Sequence, residues 1–287
     1  MSEPIVVGTD GSGESDRAVD WAAAEAALRE RPLRIVHAVP GRSATALFAA
    51  AEKAGRLARA GHAVVDAAGA RVRDRWPDVE TTTVVVEDET SDALRRHSED
   101  AFELVLGRRG RGGFASLLLG STSLRMASRS GVPVVIVRGG EAGGEAGAEV
   151  VAGIDPRKET GAVLDYAFDA AARRGARLRV VHAWQMSTTL IDAGYTAEDA
   201  DPGPELRRQV AAACEPLQRR YPQVDAVGQV VLEHPVQALT GPSRTARLLV
   251  VGARERRWSS PRLGSTGHGV VHHAQCPVAV VPPPSRR

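Results

Sequence analysis

The chain has 287 residues, 43% hydrophobic and 25% charged. That balance describes a globular protein, with no run of about eighteen apolar residues to cross a membrane and room for one large domain or two ordinary ones. A formal net charge of +2, spread over scattered arginines, lacks the clustered basic surface that nucleic acid requires, so neither a membrane nor a nucleic acid is an expected partner.

Met1-Ser2-Glu3-Pro4 runs into an apolar strand without the features of a secretory signal, which places the protein in the cytoplasm. Cys214 and Cys276 stand far apart, in no Cys-x-x-Cys pair, and suit a reducing compartment. Strands are predicted at about Ile5 to Thr9, Arg34 to Val39, Thr82 to Glu87, Phe102 to Leu106 and Val134 to Val137. Continuous apolar runs such as Val134-Val135-Ile136-Val137 suit burial on both faces of a parallel sheet. Between the first two strands, Trp21, Ala24 and Leu28 at i, i+3 and i+7 predict a helix whose apolar stripe lies on the sheet. The Ala-rich stretch from Thr45 to Arg75 predicts a second helix, interrupted near Gly61.

The pattern then repeats. Val6-Val7-Gly8-Thr9-Asp10 returns as Val151-Ala152-Gly153-Ile154-Asp155, and Leu33-Arg34-Ile35-Val36-His37-Ala38 as Leu178-Arg179-Val180-Val181-His182-Ala183, each 145 positions later. Gly120-Ser121-Thr122 returns as Gly264-Ser265-Thr266 at 144, so the second copy has lost one residue inside the loop before this helix. Residues 139–148, rich in Gly, Ala and Glu, read as a flexible linker, giving domains at 1–138 and 149–287. Strands alternating with helices in each copy predict an open, doubly wound α/β sheet that binds ligands beyond the carboxyl ends of its strands.

The informative segment is Gly107-Arg108-Arg109-Gly110, nine further residues, then Gly120-Ser121-Thr122 opening a helix that ends near Ser130. Glycines let main-chain N–H groups approach a phosphate, and a helix N-terminus supplies unpaired donors and partial positive charge. Ser121 and Thr122 can cap the helix or meet phosphate oxygens, while Arg108, Arg109 and Arg111 can add charge.

This Gly-x-x-Gly, nine-residue, Gly-Ser/Thr pattern is the signature of the universal stress protein family, and the chain resembles a tandem two-domain member over nearly its full length. The resemblance implies two tandem Rossmann-like domains of the adenine-nucleotide α-hydrolase-like kind, each a five-stranded parallel sheet of order 3-2-1-4-5 flanked by helices. It implies ATP, with or without Mg2+, at the carboxyl edge. Asp10 matches the acid that contacts adenosine, Ala38 the backbone contact to adenine, and Gly107, Gly110, Gly120, Ser121 and Thr122 the phosphate binders. Leu106 holds a pocket-lining position, and Arg109 adds charge. In the second copy Asp155, Ala183, Gly252, Gly264, Ser265 and Thr266 persist, but Gly252-Ala253-Arg254-Glu255 puts a carboxylate where the second glycine belongs. Weaker ATP binding, or a different ligand, is expected there.

Other motifs are set aside. There is no Gly-Lys-Ser/Thr of a P-loop ATPase, and no ribose-binding acid follows Gly110-Arg111-Gly112-Gly113-Phe114-Ala115 where a dinucleotide fold needs one. His268, His272 and Cys276 invite zinc, but Cys276 precedes Pro277 past the expected helix end, so no metal site is expected. His37 and His182 are expected to be buried, hydrogen-bonded strand residues. The leading reading is a non-catalytic, ATP-binding regulatory or stress-response module without catalytic residues. Its rivals are a slow ATPase or a nucleotidyl or phosphoryl transferase in the same pocket, and a scaffold whose site has decayed. The last strand of each copy should lie at a sheet edge, which predicts an intramolecular pseudo-dimer and leaves a homodimer open.

Overall fold

A computed structural model of the protein describes residues 2–39, 49–110, 119–138, 149–185, 203–253 and 263–284. The expected linker at residues 139–148 lies outside them. The chain divides into two compact units, Met1–Gly139 and Gly140–Arg287.

In the first unit, β1 (Ile5–Gly8) pairs in parallel with β2 (Leu33–Val39) on one side and with β4 (Glu103–Gly107) on the other. β2 pairs with β3 (Thr81–Glu87) and β4 with β5 (Val134–Val137), so the order is β3-β2-β1-β4-β5. The chain moves one way from β1 to β3 and the other way from β4 to β5. The loops after β1 and β4 therefore diverge at the switch point, where a parallel sheet leaves a crevice beyond its carboxyl edge. Helices α1 (Gly13–Arg29), α2 (Ala49–Arg75), α3 (Thr90–His97) and α4 (Ser121–Arg129) connect the strands. Strand ends fall within a residue or so of the predicted ones.

The predicted stripe on α1 is corrected. Ala24 and Leu28 face water, Leu28 at 38% exposure, and Trp21 is only half-buried. The face on the sheet is Ala18, Val19, Ala22, Ala23 and Ala26, all fully buried. Small side chains bring this helix close to β1 and β4, close enough that a Cβ on Gly107 would stand 2.7 Å from the Glu14 carbonyl oxygen. Ser12 caps the helix by accepting from the Ser15 N–H, and Glu14 and Asp16 complement the helix dipole. On the outer side, Asp20 of α1 accepts from Arg71 and Arg75 of α2 at 2.5 and 2.9 Å, tying the two helices together.

Nor is α2 interrupted at Gly61. The helix runs unbroken, and the glycine is needed for contact: a Cβ there would meet Val39 at 2.9 Å and Val85 at 3.1 Å.

The second unit repeats the plan with β6 (Glu149–Gly153), α5 (Gly161–Arg174), β7 (Arg177–Trp184), α6 (Gly203–Arg220) and β8 (Ala226–Leu232). It continues through α7 (Pro235–Thr240), β9 (Leu248–Gly252), α8 (Ser265–His273) and β10 (Val278–Val281). Its sheet order is β8-β7-β6-β9-β10, all parallel. One packing detail recurs at matching positions. A Cβ on Gly8 would meet Leu106 at 2.7 Å and Leu94 of α3 at 2.9 Å, and one on Gly153 would meet Leu239 of α7 at 2.7 Å.

Candidate functional site

The turn after β1 is built from hydroxyls. Thr9 Oγ1 donates to Ser15 Oγ at 3.1 Å and accepts from the Gly11 N–H at 3.2 Å, while Ser15 Oγ donates to the Ser12 carbonyl at 2.8 Å. Gly11 takes φ +71°, a left-handed conformation that favours glycine. Within this frame the Ser12 N–H donates to Asp10 Oδ1 at 3.0 Å. That bond fixes the carboxylate, and a Cβ on Gly110 would overlap its Oδ2. The acid after β1 and the second glycine after β4 are thus immediate neighbours.

The two ends of the Gly-rich loop after β4 are also joined. The Gly120 N–H donates to the Arg108 carbonyl at 2.8 Å, and Ser123 Oγ donates to the Gly107 carbonyl at 2.8 Å. Gly120 caps α4 with extended backbone and no side-chain capping bond, leaving Ser121 exposed and Thr122 half-buried in the first turn. Arg109 is half-buried, and its Cα lies 3.5 Å from where a Cβ on Gly120 would stand. The Nε of Arg108 is buried with no hydrogen-bond partner among the described residues. Arg111 lies outside the described residues.

Asp10, Gly107, Arg109, Gly110 and Gly120 therefore converge, while Ala38 stands one strand away on β2 and is half-buried. Leu106 is buried at 5% exposure, its side chain lying across Gly8. Ser123, passed over in the sequence, holds α4 to the loop. The Ser121-Thr122-Ser123 run contained the signal, since a hydroxyl at the third helical position can turn back to the preceding chain. Between α1 and α2, beside Gly11, lies a cavity of about 350 Å³ walled by Ala67, Val64 and the ion-paired Arg71.

At the matching turn of the second unit the chemistry changes. Ile154 replaces Thr9, and Pro156-Arg157-Lys158 replaces Gly11-Ser12-Gly13. The Lys158 N–H donates to the Asp155 carbonyl at 2.9 Å, closing a turn, and the helix starts only at Gly161 with no side-chain cap from Thr160. Asp155 Oδ1 accepts from Arg157 Nε at 2.9 Å and from the Arg157 backbone N–H at 3.3 Å. Its Oδ2 accepts from Arg157 Nη2 at 3.2 Å and from Lys158 Nζ at 2.9 Å. Partial burial opposes the charged form, but the bonds from Arg157 and Lys158 outweigh it and hold the carboxyl well below the usual carboxylate range.

Gly252 is exposed where its counterpart Gly107 is buried, and Gly267 stands in place of Ser123. Ser265 is exposed, while Gly264, Thr266 and Ala183 are half-buried. Arg254 and Glu255 lie outside the described residues.

Both strand histidines are hydrogen-bonded as expected, but only His182 is buried, and His37 is half-buried. His37 Nδ1 bonds to the Thr9 carbonyl at 2.7 Å, and His182 Nδ1 to the Ile154 carbonyl at 3.0 Å. A carbonyl only accepts, so Nδ1 carries the proton in both. His268 and His272 have ring centroids 4.4 Å apart with their planes tilted by 42°, and Cys276 is buried beyond the end of α8. Burial pushes the Cys214 thiol up to about 11. No helix among the described residues is long and apolar enough to cross a membrane.

Comparison with known proteins extends over the whole chain. The sequence profile described as the universal stress protein family matches residues 1–138 and 148–282. A universal stress protein of Mycobacterium tuberculosis is 34% identical, covering 98% of this chain and 99% of its own length. One from Mycolicibacterium smegmatis is 31% identical, covering 97% of each. The crystal structure of a universal stress protein from Archaeoglobus fulgidus has a TM-score of 0.70 at 19% identity, covering 98% of this chain and 99% of its own, a likeness of fold.

Proposed function

The chain belongs to the universal stress protein family, and from that premise we propose that its first unit binds ATP and serves in the cytoplasm as a nucleotide-dependent, non-catalytic regulatory module of the stress response. One observation carries this reading: the turn after β1 and the loop after β4 meet so closely that Asp10 and Gly110 leave no room for a Cβ between them. A carboxylate fixed at a strand end accepts from ribose hydroxyls, and glycine beside it keeps the approach to the phosphate donors clear.

The residues fit the ligand. Asp10 would hold the ribose and the Ala38 backbone the adenine, while Leu106 would back the pocket. Gly107, Arg109, Gly110, Gly120, Ser121 and Thr122 would hold the phosphates. A buried Arg108 Nε without a partner among the described residues supports an anionic occupant. Bound ATP would supply the polyphosphate charge that these donors offset, and its presence or absence would then set the choice of partner.

Mass spectrometry of the denatured full-length protein tests for copurified nucleotide, and calorimetry, with and without Mg2+, measures ATP affinity. The expected result is an adenine nucleotide that binds measurably and turns over far below the median enzyme rate of about 10 per second. Absence of binding overturns the reading. Turnover near that median, lost in Gly120→Ala, replaces it with an enzyme. Pairing of the two units belongs to the same proposal, and separately expressed halves that stay monomeric at high concentration would count against it.

A further inference from the structure

Asp10 and Asp155 are the same residue of the repeat, yet their carboxylates are held by different groups. The contacts of Asp10 include the Ser12 backbone N–H at Oδ1 and Gly110 at Oδ2. Asp155 accepts four hydrogen bonds, three from charged side-chain nitrogens and one from the Arg157 backbone. An ionised carboxylate offers about four acceptor sites, so its capacity is filled by its own turn.

We propose that Arg157 and Lys158 determine the ligand specificity of the second unit: by occupying the acceptor sites of Asp155 they withdraw it from ribose recognition, so this unit does not take a nucleoside ligand as the first one does. The inference rests on the assignment of Asp10 to ribose in the first unit. It is independent of Glu255, the acid that the repeat puts in place of the second glycine.

The local fold explains how the clasp is held. In the first unit Gly11-Ser12-Gly13 leads into α1, and the Ser12 hydroxyl is committed to capping. In the second, Pro156 has no N–H to donate and its fixed φ favours a turn, which the Lys158 N–H closes on the Asp155 carbonyl at 2.9 Å. Helix α5 starts three positions later in the repeat than α1, leaving Arg157 and Lys158 free of the helix to fold back on the acid. Their side chains are 67% and 69% exposed, so the ion pairs themselves are weak. Occupied acceptor sites, more than electrostatic energy, exclude the ribose.

The test is ATP stoichiometry, measured by calorimetry on the full chain. Wild type should bind one equivalent, and so should Glu255→Gly. Adding Pro156→Gly/Arg157→Ser/Lys158→Gly to Glu255→Gly should bring in a second equivalent, and replacing ATP with 2′,3′-dideoxy-ATP should weaken that second event about tenfold, roughly 1.4 kcal/mol. Arg157→Met/Lys158→Met, which keeps the proline turn and removes both side-chain donors, should recover the same second event in the Glu255→Gly background and guards against misfolding of the triple change. A second equivalent in Glu255→Gly alone, or none after either clasp replacement, overturns the inference. So does a second event indifferent to the ribose hydroxyls. A wild type that binds no ATP instead removes the assignment of Asp10 on which the inference rests.

Discussion

The turn after β1 and the turn after β6 begin from the same Gly-x-Asp and end in different chemistry. In one, Thr9, Ser12 and Ser15 form a neutral hydroxyl lattice that presents the acid to Gly110. In the other, two cations fold over the acid and the helix starts late. The strands beneath keep their register and order. A duplicated sheet thus holds its core fixed while three loop residues alter what its edge can recognise, the division expected when function resides in loops on a rigid scaffold.

The comparison breaks most readily at Gly110. In Gly110→Glu the added Cβ overlaps Asp10 Oδ2, and a carboxylate about 4 Å from phosphate costs about 4 kcal/mol at an effective dielectric of 20. ATP affinity of the full chain should fall about a thousandfold by calorimetry. Unchanged affinity would remove the phosphate-loop assignment, and with it the contrast between the two units.

A smaller effect is expected on α1. Ala22→Leu forces a larger side chain against the sheet and should destabilise the fold by about 1–3 kcal/mol in urea titration. Ala24→Leu, on the exposed face, should stay within about 0.5 kcal/mol. Equal effects would mean that the helix presents some other face.

Capping sharpens the contrast between the units further. Ser12→Ala removes the acceptor for the Ser15 N–H and should cost about 1 kcal/mol. Thr160→Ala removes no side-chain cap and should be close to neutral. Hydrogen exchange in the first turns of α1 and α5 would report the difference locally.

The smallest effect concerns pH. Because the folded carboxyl of Asp155 titrates below its unfolded value, its contribution to stability is fully present above about pH 4 and is lost as pH falls through the folded value. With partners this exposed, screening limits it to about 1 kcal/mol at most. The stability difference between wild type and Asp155→Asn, followed by thermal melting, should therefore shrink only in strong acid. A difference that disappears already between pH 7 and 5 would show that the clasp does not hold the carboxylate.

Much of this was legible beforehand. Apolar runs such as Val134-Val135-Ile136-Val137 fixed the strands, the two-fold recurrence exposed the repeat, and glycine spacing located the loop. Side-chain facing on α1 was not legible, because alanine is small enough to pack close to a sheet and is also one that water tolerates. Large Trp21 and Leu28 therefore drew the stripe to the wrong side. Gly61 suggested a break because glycine weakens helices, whereas its place against Val39 and Val85 needs the missing methyl. Pro156-Arg157-Lys158 was visible in the repeat, but the direction in which loop side chains fold has no periodicity to reveal it.

The contact at Gly8 has a mechanical consequence. Leu94 of α3 and Leu106 of β4 rest on the glycine itself, and a Cβ there would stand less than 3 Å from each. No void separates strand from helix to absorb a displacement. A push on α3 at Leu94 is therefore expected to reach the end of β1, two residues before Asp10, through direct contact at Gly8.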